Sequence, residues 1–156
     1  MTRPPFAALT GIGIAVPPQV VTNDDLSKSL DTSDEWIRER TGIRERRIAR
    51  ADESLTSLCH AASLAALARA GLGVGDVDAI VCATVSGDRR MPSQACDLQA
   101  SLGALNAAAF DISAACAGFC HGVSLAADMV RGGSAGHALV IGVERLSDLT
   151  DLHDRG

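Results

Sequence analysis

Short apolar runs alternate with longer segments of helical periodicity along most of this chain. The apolar runs at residues 6–16, 80–85, 107–110 and 137–143 have the length of buried strands. The segments at 54–70, 92–103 and 117–131 are predicted as helices, and glycines follow them. This alternation predicts an α/β fold with a mostly parallel sheet and helices on its faces.

A capping box predicts the start of a short polar helix near residue 32. Thr32 is followed three residues later by Glu35, and Thr41-Gly42 supplies a stop. Trp36 and Arg40 are four residues apart and therefore share one face of this helix. An indole beside a guanidinium can hold a flat, electron-rich ring such as adenine, although an ordinary tryptophan under a surface arginine is the alternative.

Cys116 lies at the predicted junction between a strand that ends near Phe110 and a helix that begins near Ala117. The first N–H groups of a helix have no partners within it, and their partial positive charge favours an anion such as a thiolate. Small neighbours, among them Ala115 and Gly118, leave room for a substrate carbonyl. Cys116 is therefore the candidate nucleophile, and a cysteine that only packs in the core is the alternative.

Composition and charge exclude several classes of function. A net charge of −5 argues against a nucleic-acid-binding surface. No apolar run reaches the roughly 18 residues that a membrane-spanning helix needs. The five cysteines show neither disulfide-like nor metal-site spacing, so we expect reduced thiols, a cytoplasmic protein and no metal.

Three groups of residues resemble motifs of the β-ketoacyl-acyl carrier protein synthase III family of the thiolase superfamily, and they keep the order and spacing of those motifs. They are residues 31–46, residues 110–119 and Asp154-Arg155-Gly156. The resemblance runs from about Thr10 to Gly156. It implies one thiolase-like domain over residues 1–156, which is the N-terminal half of a five-layered αβαβα fold. The family's catalytic histidine and asparagine belong to the second half, so we expect a fragment or a truncated sequence.

The resemblance implies an acyltransferase of fatty acid or polyketide biosynthesis. The Cys116 thiolate would take an acyl group from acyl-coenzyme A, and malonyl-acyl carrier protein would then decarboxylate and attack the thioester. The resemblance also implies a homodimer. It implies no cofactor, since coenzyme A is part of the acyl-coenzyme A substrate. The alternatives are another thiolase-superfamily acyltransferase of secondary metabolism, and a catalytically incomplete half that serves as a structural partner subunit.

The resemblance also assigns residues to the binding of substrate. The positions that match the family's coenzyme A contacts are Thr32, Trp36, Arg40 and Arg155. Met91 and Leu146 match positions that line the acyl pocket, and Met91 lies in a loop that reaches across the dimer interface. Because Met91 stands where well-known members have phenylalanine, the identity of the acyl chain stays open.

Overall fold

The protein is described by a computed structural model that covers residues 6–151 and Asp154. It divides into two compact units. The large unit contains Met1–Ala15 and Ser54–Glu144, and the small unit contains Val16–Glu53 and Arg145–Gly156.

In chain order, the small unit first contributes β1 (Val20–Thr22), α1 (Asn23–Leu26), α2 (Asp34–Thr41) and β2 (Glu45–Arg47). The large unit then contributes α3 (Leu55–Ala70), β3 (Ala79–Ala83), α4 (Gln94–Leu102), β4 (Ala108–Ile112), α5 (Gly118–Gly132) and β5 (Ala138–Gly142). Short 3₁₀ turns, including Ala115–Ala117 and Leu146–Asp148, connect some of these elements.

The buried side chain of Asn23 connects the elements of the small unit. Its amide nitrogen donates to Asp34 Oδ1 and to the carbonyl of Ile43, both at 2.8 Å, and its oxygen accepts from Arg46 Nη1 at 2.8 Å. The hydrogen bond from Asn23, with a smaller contribution from Arg38, lowers the pKa of Asp34. One amide thus joins the start of α2 to β2, which pairs with β1 in antiparallel orientation.

The large unit is built on a three-stranded parallel sheet in the order β4-β3-β5. Every residue of the central strand β3 is buried. Ile80 and Cys82 on β3 face α3 and α4, whereas the alternate side chains of Val81 and Ala83 face α5. The parallel sheet with helices on both faces, predicted from the sequence, is therefore confirmed.

The helix boundaries follow serine caps and glycine stops. Ser33, Ser54 and Ser93 each accept a backbone N–H of the first turn, and Gly42, Gly71, Gly103 and Gly133 end helices with φ between 68° and 79°. Two details of the prediction were wrong. The residue that caps α2 is Ser33 rather than Thr32, because the extended Ser33 places its hydroxyl 3.1 Å from Trp36 N. Pro92 precedes α4 instead of lying in its first turn, because Ser93 is the cap.

The predicted first strand, residues 6–16, has no regular secondary structure and forms no ladder with any strand of the described residues. From residue 11 to residue 16 its side chains alternate between half-buried and exposed, as in a strand with one covered face. Gly11 and Gly13 lie so close to α3 that a Cβ atom would stand 2.2 Å from the Ala66 oxygen and 1.9 Å from the Ala62 oxygen. The segment therefore packs on α3 through its glycines, and no strand in the described part of the chain pairs with it.

Candidate active site

Cys116 lies between the end of a strand and the start of a helix, as predicted. β4 ends at Ile112, the 3₁₀ turn Ala115–Ala117 follows, and α5 begins at Gly118. The side chain of Cys116 is exposed. The carboxyl ends of parallel strands are where open α/β sheets bind their ligands, and Cys116 lies at this edge.

The N-terminus of α5 has no side-chain cap, in contrast to α2, α3 and α4. Its N-cap residue is Ala117, and no acidic residue lies in its first turn. The N–H groups at this end are therefore not neutralised by a side chain of the described residues, and their partial positive charge is available to an anion beside Cys116.

The turn that carries Cys116 is strained. Ala115 has φ of 44°, and it is the one non-glycine residue with a positive φ in the described part of the chain. A residue with a Cβ atom in this region costs on the order of 1–3 kcal/mol, and such strain clusters at functional sites. The surrounding structure therefore holds the backbone before Cys116 in a conformation that the residue itself does not favour.

Two glycines let α5 approach the sheet closely. A Cβ atom on Gly118 would stand 3.0 Å from Ala83 Cβ, and one on Gly122 would stand 3.0 Å from Val140 Cγ1. Larger residues at these positions would move the helix away from β3 and β5. The small residues of α5 therefore determine how near the sheet Cys116 lies.

Asp111, one of the motif residues on β4, anchors the next layer of structure. Its carboxylate oxygens accept the backbone N–H groups of Gln94 and Ala95, both at 2.8 Å, at the start of α4. The carbonyl of Ile112 accepts from Thr84 N at 3.2 Å. These bonds hold the end of β4, and hence the turn that follows it, against α4 and β3.

Glu144 joins the ends of β3 and β5 and was missed by the sequence analysis. Its carboxylate accepts from Val85 N at 3.0 Å and from Thr84 Oγ1 at 3.3 Å, and it also bonds the hydroxyl of Ser86. A signal was present, because polar residues directly follow two strands that the sequence predicted to be parallel, and the ends of parallel strands meet at one edge.

The buried cysteines differ in environment from Cys116. Cys59 and Cys82 are buried in the core between the sheet and α3. The neighbouring Cys59 thiol and burial raise the pKa of Cys82, which keeps it protonated. Cys120, one turn after Cys116 on α5, is exposed. Among the described residues, no group of three histidine, cysteine or acidic side chains is arranged to hold a metal ion.

In the small unit, Trp36 and Arg40 share one face of α2 as predicted. The Arg40 guanidinium lies 4.2 Å from the centroid of the indole ring, within the range of a cation–π interaction. Trp36 remains 37% exposed. The Thr32 hydroxyl, just before α2, is buried and has no hydrogen-bond partner among the described residues.

The other three predicted site residues are Met91, Leu146 and Arg155. Met91 lies in the loop before α4 and is 85% exposed, and Leu146 lies in a 3₁₀ turn of the small unit and is 54% exposed. Arg155 lies outside the described residues. The roles assigned to these three side chains therefore stay predictions. No helix in the described part of the chain has the length and apolar character needed to cross a membrane.

Comparison with known proteins gives consistent matches. Residues 110–156 match the family model for 3-oxoacyl-[acyl-carrier-protein] synthase III. The chain is 52% identical over 149 residues to a β-ketoacyl-[acyl-carrier-protein] synthase III of Geobacillus kaustophilus, covering 96% of this chain and 48% of the relative. A relative of the same name from Roseiflexus castenholzii is 50% identical over 150 residues, covering 96% and 46%.

Solved structures match at the level of the fold as well. The 3-oxoacyl-[acyl-carrier-protein] synthase III of Aquifex aeolicus has a TM-score of 0.91 at 46% identity, covering 94% of this chain and 47% of that one. The priming β-ketosynthase of the R1128 polyketide pathway has a TM-score of 0.95 at 41% identity, covering 99% and 46%. The chain thus spans about half the length of the relatives it matches. In sequence and in fold, the chain is similar to about half of each of these 3-oxoacyl-[acyl-carrier-protein] synthase III relatives.

Proposed function

We propose that this chain carries the acyl-accepting cysteine of a β-ketoacyl-acyl carrier protein synthase III. The observation that supports the proposal is the placement of Cys116: an exposed thiol, on a strained turn, at the one long helix of the described residues whose N-terminus has no side-chain cap. The match of residues 110–156 to the family model includes this turn.

In the proposed step, the Cys116 thiolate attacks the thioester carbonyl of acyl-coenzyme A. The bond between the acyl carbon and the coenzyme A sulfur breaks, and a bond to Cys116 Sγ forms. Coenzyme A leaves as a thiol and takes up the proton that Cys116 lost. Backbone N–H groups of the turn that carries Cys116 and of the start of α5, among them the N–H of Cys116, stabilise the oxyanion of the tetrahedral intermediate.

The second stage of the proposed reaction is the condensation of fatty acid biosynthesis. Malonyl-acyl carrier protein loses carbon dioxide, and its carbanion attacks the Cys116 thioester to give a β-ketoacyl product. This stage belongs to the whole enzyme, which we propose to be a cytoplasmic homodimer that uses no cofactor. In that assembly Met91 and Leu146 line the acyl pocket, and Arg155 contacts coenzyme A.

We also propose that Trp36 and Arg40 hold the adenine ring of coenzyme A, with Thr32 nearby. The guanidinium already stacked on the indole provides a flat, polarisable surface that suits stacking with a purine. The buried Thr32 hydroxyl lacks a partner among the described residues, so it can accept or donate a hydrogen bond to a bound group without breaking an existing one.

The acyl-transfer step can be tested on the 156-residue chain itself. After incubation with acetyl-coenzyme A, peptide mass spectrometry should find a hydroxylamine-labile acetyl group on the peptide that contains Cys116. The Cys116→Ser variant should lose it, whereas Cys120→Ser should keep it, because Cys120 is also exposed but lies within the helix one turn later. Absence of the thioester with acetyl and longer acyl donors, or equal labelling of Cys120, would contradict the proposal.

Binding of coenzyme A can be tested separately by calorimetry. Trp36→Ala and Arg40→Ala should each weaken binding by about 2–30-fold, which corresponds to a cation–π and stacking contribution of about 0.5–2 kcal/mol. Arg38→Ala is the matched control, since Arg38 lies on the same helix but pairs with Asp34 at 3.2 Å. Equal losses in Arg40→Ala and Arg38→Ala, with binding unchanged in Trp36→Ala, would show a general charge effect instead of ring binding.

A second candidate function is the priming step of a polyketide pathway. The observation that favours it is the 0.95 TM-score and 41% identity to the R1128 priming β-ketosynthase. Met91 stands where the resemblance leads us to expect phenylalanine. Because the methionine side chain is longer and more flexible than phenylalanine, the acyl group that the pocket accepts can differ. Comparison of labelling rates with acetyl, branched and medium-chain donors would separate the two candidates.

A further inference from the structure

Two of the five cysteines are exposed, and both lie at the start of α5. Cys116 belongs to the 3₁₀ turn Ala115–Ala117, and Cys120 belongs to the first turn of the helix, which begins at Gly118. The other three cysteines are buried or half-buried and lie on α3, β3 and α4. The proposed acyl transfer uses only the sulfur of Cys116, so it leaves the exposed thiol of Cys120 without a role.

The backbone places both thiols on the side of α5 that faces away from the sheet. Gly118, midway between them, faces the sheet, since a Cβ atom there would stand 3.0 Å from Ala83 Cβ. Residues of a helix are about 100° apart around its axis, so the positions two before and two after Gly118 point away from the sheet. Ala117 has φ of −92° and ψ of −4°, in the right-handed helical region, and the turn of Cys116 therefore runs on into the helix.

The spacing of one helical turn makes Cys116 and Cys120 neighbours. Residues four apart on a helix share one face and have Cβ atoms about 5–6 Å apart. That separation is longer than the roughly 3.8 Å between the Cβ atoms of a disulfide. Two sulfurs on such Cβ atoms can, however, lie on opposite sides of one metal ion. The pair is therefore arranged for bridging by an ion rather than for a direct bond between the sulfurs.

The electrostatic environment favours negative charge at this place. The helix α5 has 15 residues, no side-chain cap and no acidic residue in its first turn. The partial positive charge of its N-terminus therefore stabilises thiolates and any anionic complex that they form. Two thiolates with one monovalent cation keep a single negative charge, which suits this end of the helix.

We propose that Cys116 and Cys120 form a two-thiolate binding site for a soft monovalent metal ion such as Cu(I). Thiolate sulfur is a ligand type that selects Cu(I), and this ion accepts two such ligands in a nearly linear arrangement. On binding, each thiol releases its proton to the solvent and each sulfur forms one bond to the metal. No electron is transferred, so the metal and both sulfurs keep their oxidation states.

The small number of ligands excludes the commoner metals from the proposed site. Zinc takes four protein ligands in structural sites, or three and a water in catalytic ones, and calcium and magnesium take oxygen ligands. No group of three histidine, cysteine or acidic side chains is arranged for a metal among the residues that the structure describes. We expected no metal from the cysteine spacing in the sequence, but that expectation concerns sites with three or four ligands and not a two-coordinate ion.

A bound ion would occupy the sulfur that the proposed acyl transfer requires. Cys116 cannot attack a thioester while its sulfur is bonded to the metal. The site would therefore make acyl acceptance sensitive to soft metal ions. This consequence rests on the proposed function, whereas metal binding itself does not.

Competition for Cu(I) with the coloured chelator bathocuproine disulfonate, without oxygen and with ascorbate as reductant, tests the site in the 156-residue chain. The unchanged chain should take up one Cu(I). Loss of a group that only supports a metal ligand weakens metal binding by about 10–100-fold, so Cys116→Ser and Cys120→Ser, which remove a ligand, should each weaken it by at least about 100-fold. Cys96→Ser is the matched control, because Cys96 is half-buried on α4, and it should bind as the unchanged chain does.

A double variant separates the spacing of the thiols from their number. Cys120→Ser combined with His121→Cys keeps two thiols at the start of α5 but places them five residues apart, where they no longer share a face. It should bind Cu(I) as weakly as Cys120→Ser alone.

Acetyl labelling of Cys116 measures the consequence for acyl transfer. At a free Cu(I) concentration that saturates the unchanged chain, labelling should stop in that chain and in Cys96→Ser but persist in Cys120→Ser. If the unchanged chain is not labelled even without metal, the proposed acyl transfer fails, and the metal site is still decided by the chelator competition.

Three outcomes would overturn the proposal. The first is that the unchanged chain takes up no Cu(I) from the chelator. The second is that Cys120→Ser binds Cu(I) as tightly as the unchanged chain, which would make Cys120 irrelevant. The third is that the double variant binds as tightly as the unchanged chain, which would show that the one-turn spacing has no part in binding.

Discussion

The carboxylate of Asp111 offers a direct test of how the candidate site is held in place. Asp111→Ala removes the acceptor for two backbone N–H groups, those of Gln94 and Ala95, each at 2.8 Å. Hydrogen bonds to a charged group contribute about 1.5–3 kcal/mol each. The side chain is half-buried, so water replaces part of this interaction, and the expected loss is about 3 kcal/mol in the free energy of unfolding.

This loss is large relative to the total stability of a domain, which is about 5–15 kcal/mol. Urea unfolding followed by circular dichroism at the helical minimum measures it, because most helical residues belong to α3, α4 and α5. With a denaturant dependence of about 1.5 kcal/mol per molar, the midpoint should fall by about 2 M. The urea midpoint of Asp111→Asn, which keeps one carbonyl acceptor, should lie between those of the unchanged chain and Asp111→Ala.

The matched control acts on the same helix terminus. Ser93→Ala removes the side-chain cap of α4, whose hydroxyl accepts from Cys96 N at 3.3 Å, and should cost about 1 kcal/mol. If Asp111→Ala lowered the midpoint no more than Ser93→Ala, the idea that this carboxylate anchors β4 to α4 would be refuted. The rate at which acetyl-coenzyme A labels Cys116 should also fall in Asp111→Ala, since the turn that carries Cys116 follows β4.

Three further perturbations follow from single contacts. Hydrogen bonds from the N–H groups of His137 and Gly136 lower the pKa of Asp78. The Asp78 carboxylate therefore stabilises the fold above about pH 4, and this stabilisation is lost as the pH falls further. Asp78→Asn should accordingly make the free energy of unfolding less dependent on pH in the acid range. Gly13→Ala would place a Cβ 1.9 Å from a backbone oxygen of α3, and should destabilise by about 3 kcal/mol in thermal unfolding. Glu144→Ala removes the acceptor that joins β3 to β5, and should cost about 2 kcal/mol in urea unfolding.

Each of these has its own check. Gly75→Ala is the control for Gly13→Ala, because a Cβ on Gly75 would meet no atom within 4 Å, and it should leave the melting temperature nearly unchanged. Equal effects of the two would contradict the close packing on α3. For Asp78→Asn, an acid limb identical to that of the unchanged chain would be the contrary result, and for Glu144→Ala it would be an unaltered urea midpoint.

Local signals in the sequence determined much of this fold. The glycine stops end their helices where predicted, because a helix terminus depends on the conformation of one or two residues. The alternation of apolar runs and helical segments predicted the parallel sheet. The position of Cys116 between β4 and α5, and the shared face of Trp36 and Arg40, follow from spacing alone.

Other features depended on partners that are distant along the chain, and only the tertiary structure decided them. Residues 6–16 have the pattern of a strand, but the pattern does not supply a neighbour, and no strand of the described residues pairs with them. The backbone partners of Asp111 and Glu144 could not be identified from the sequence, because the N–H groups that they bind lie 16 or more residues away. The sequence gives the chemical type of each side chain, whereas the packing of strands and helices determines which distant groups that side chain contacts.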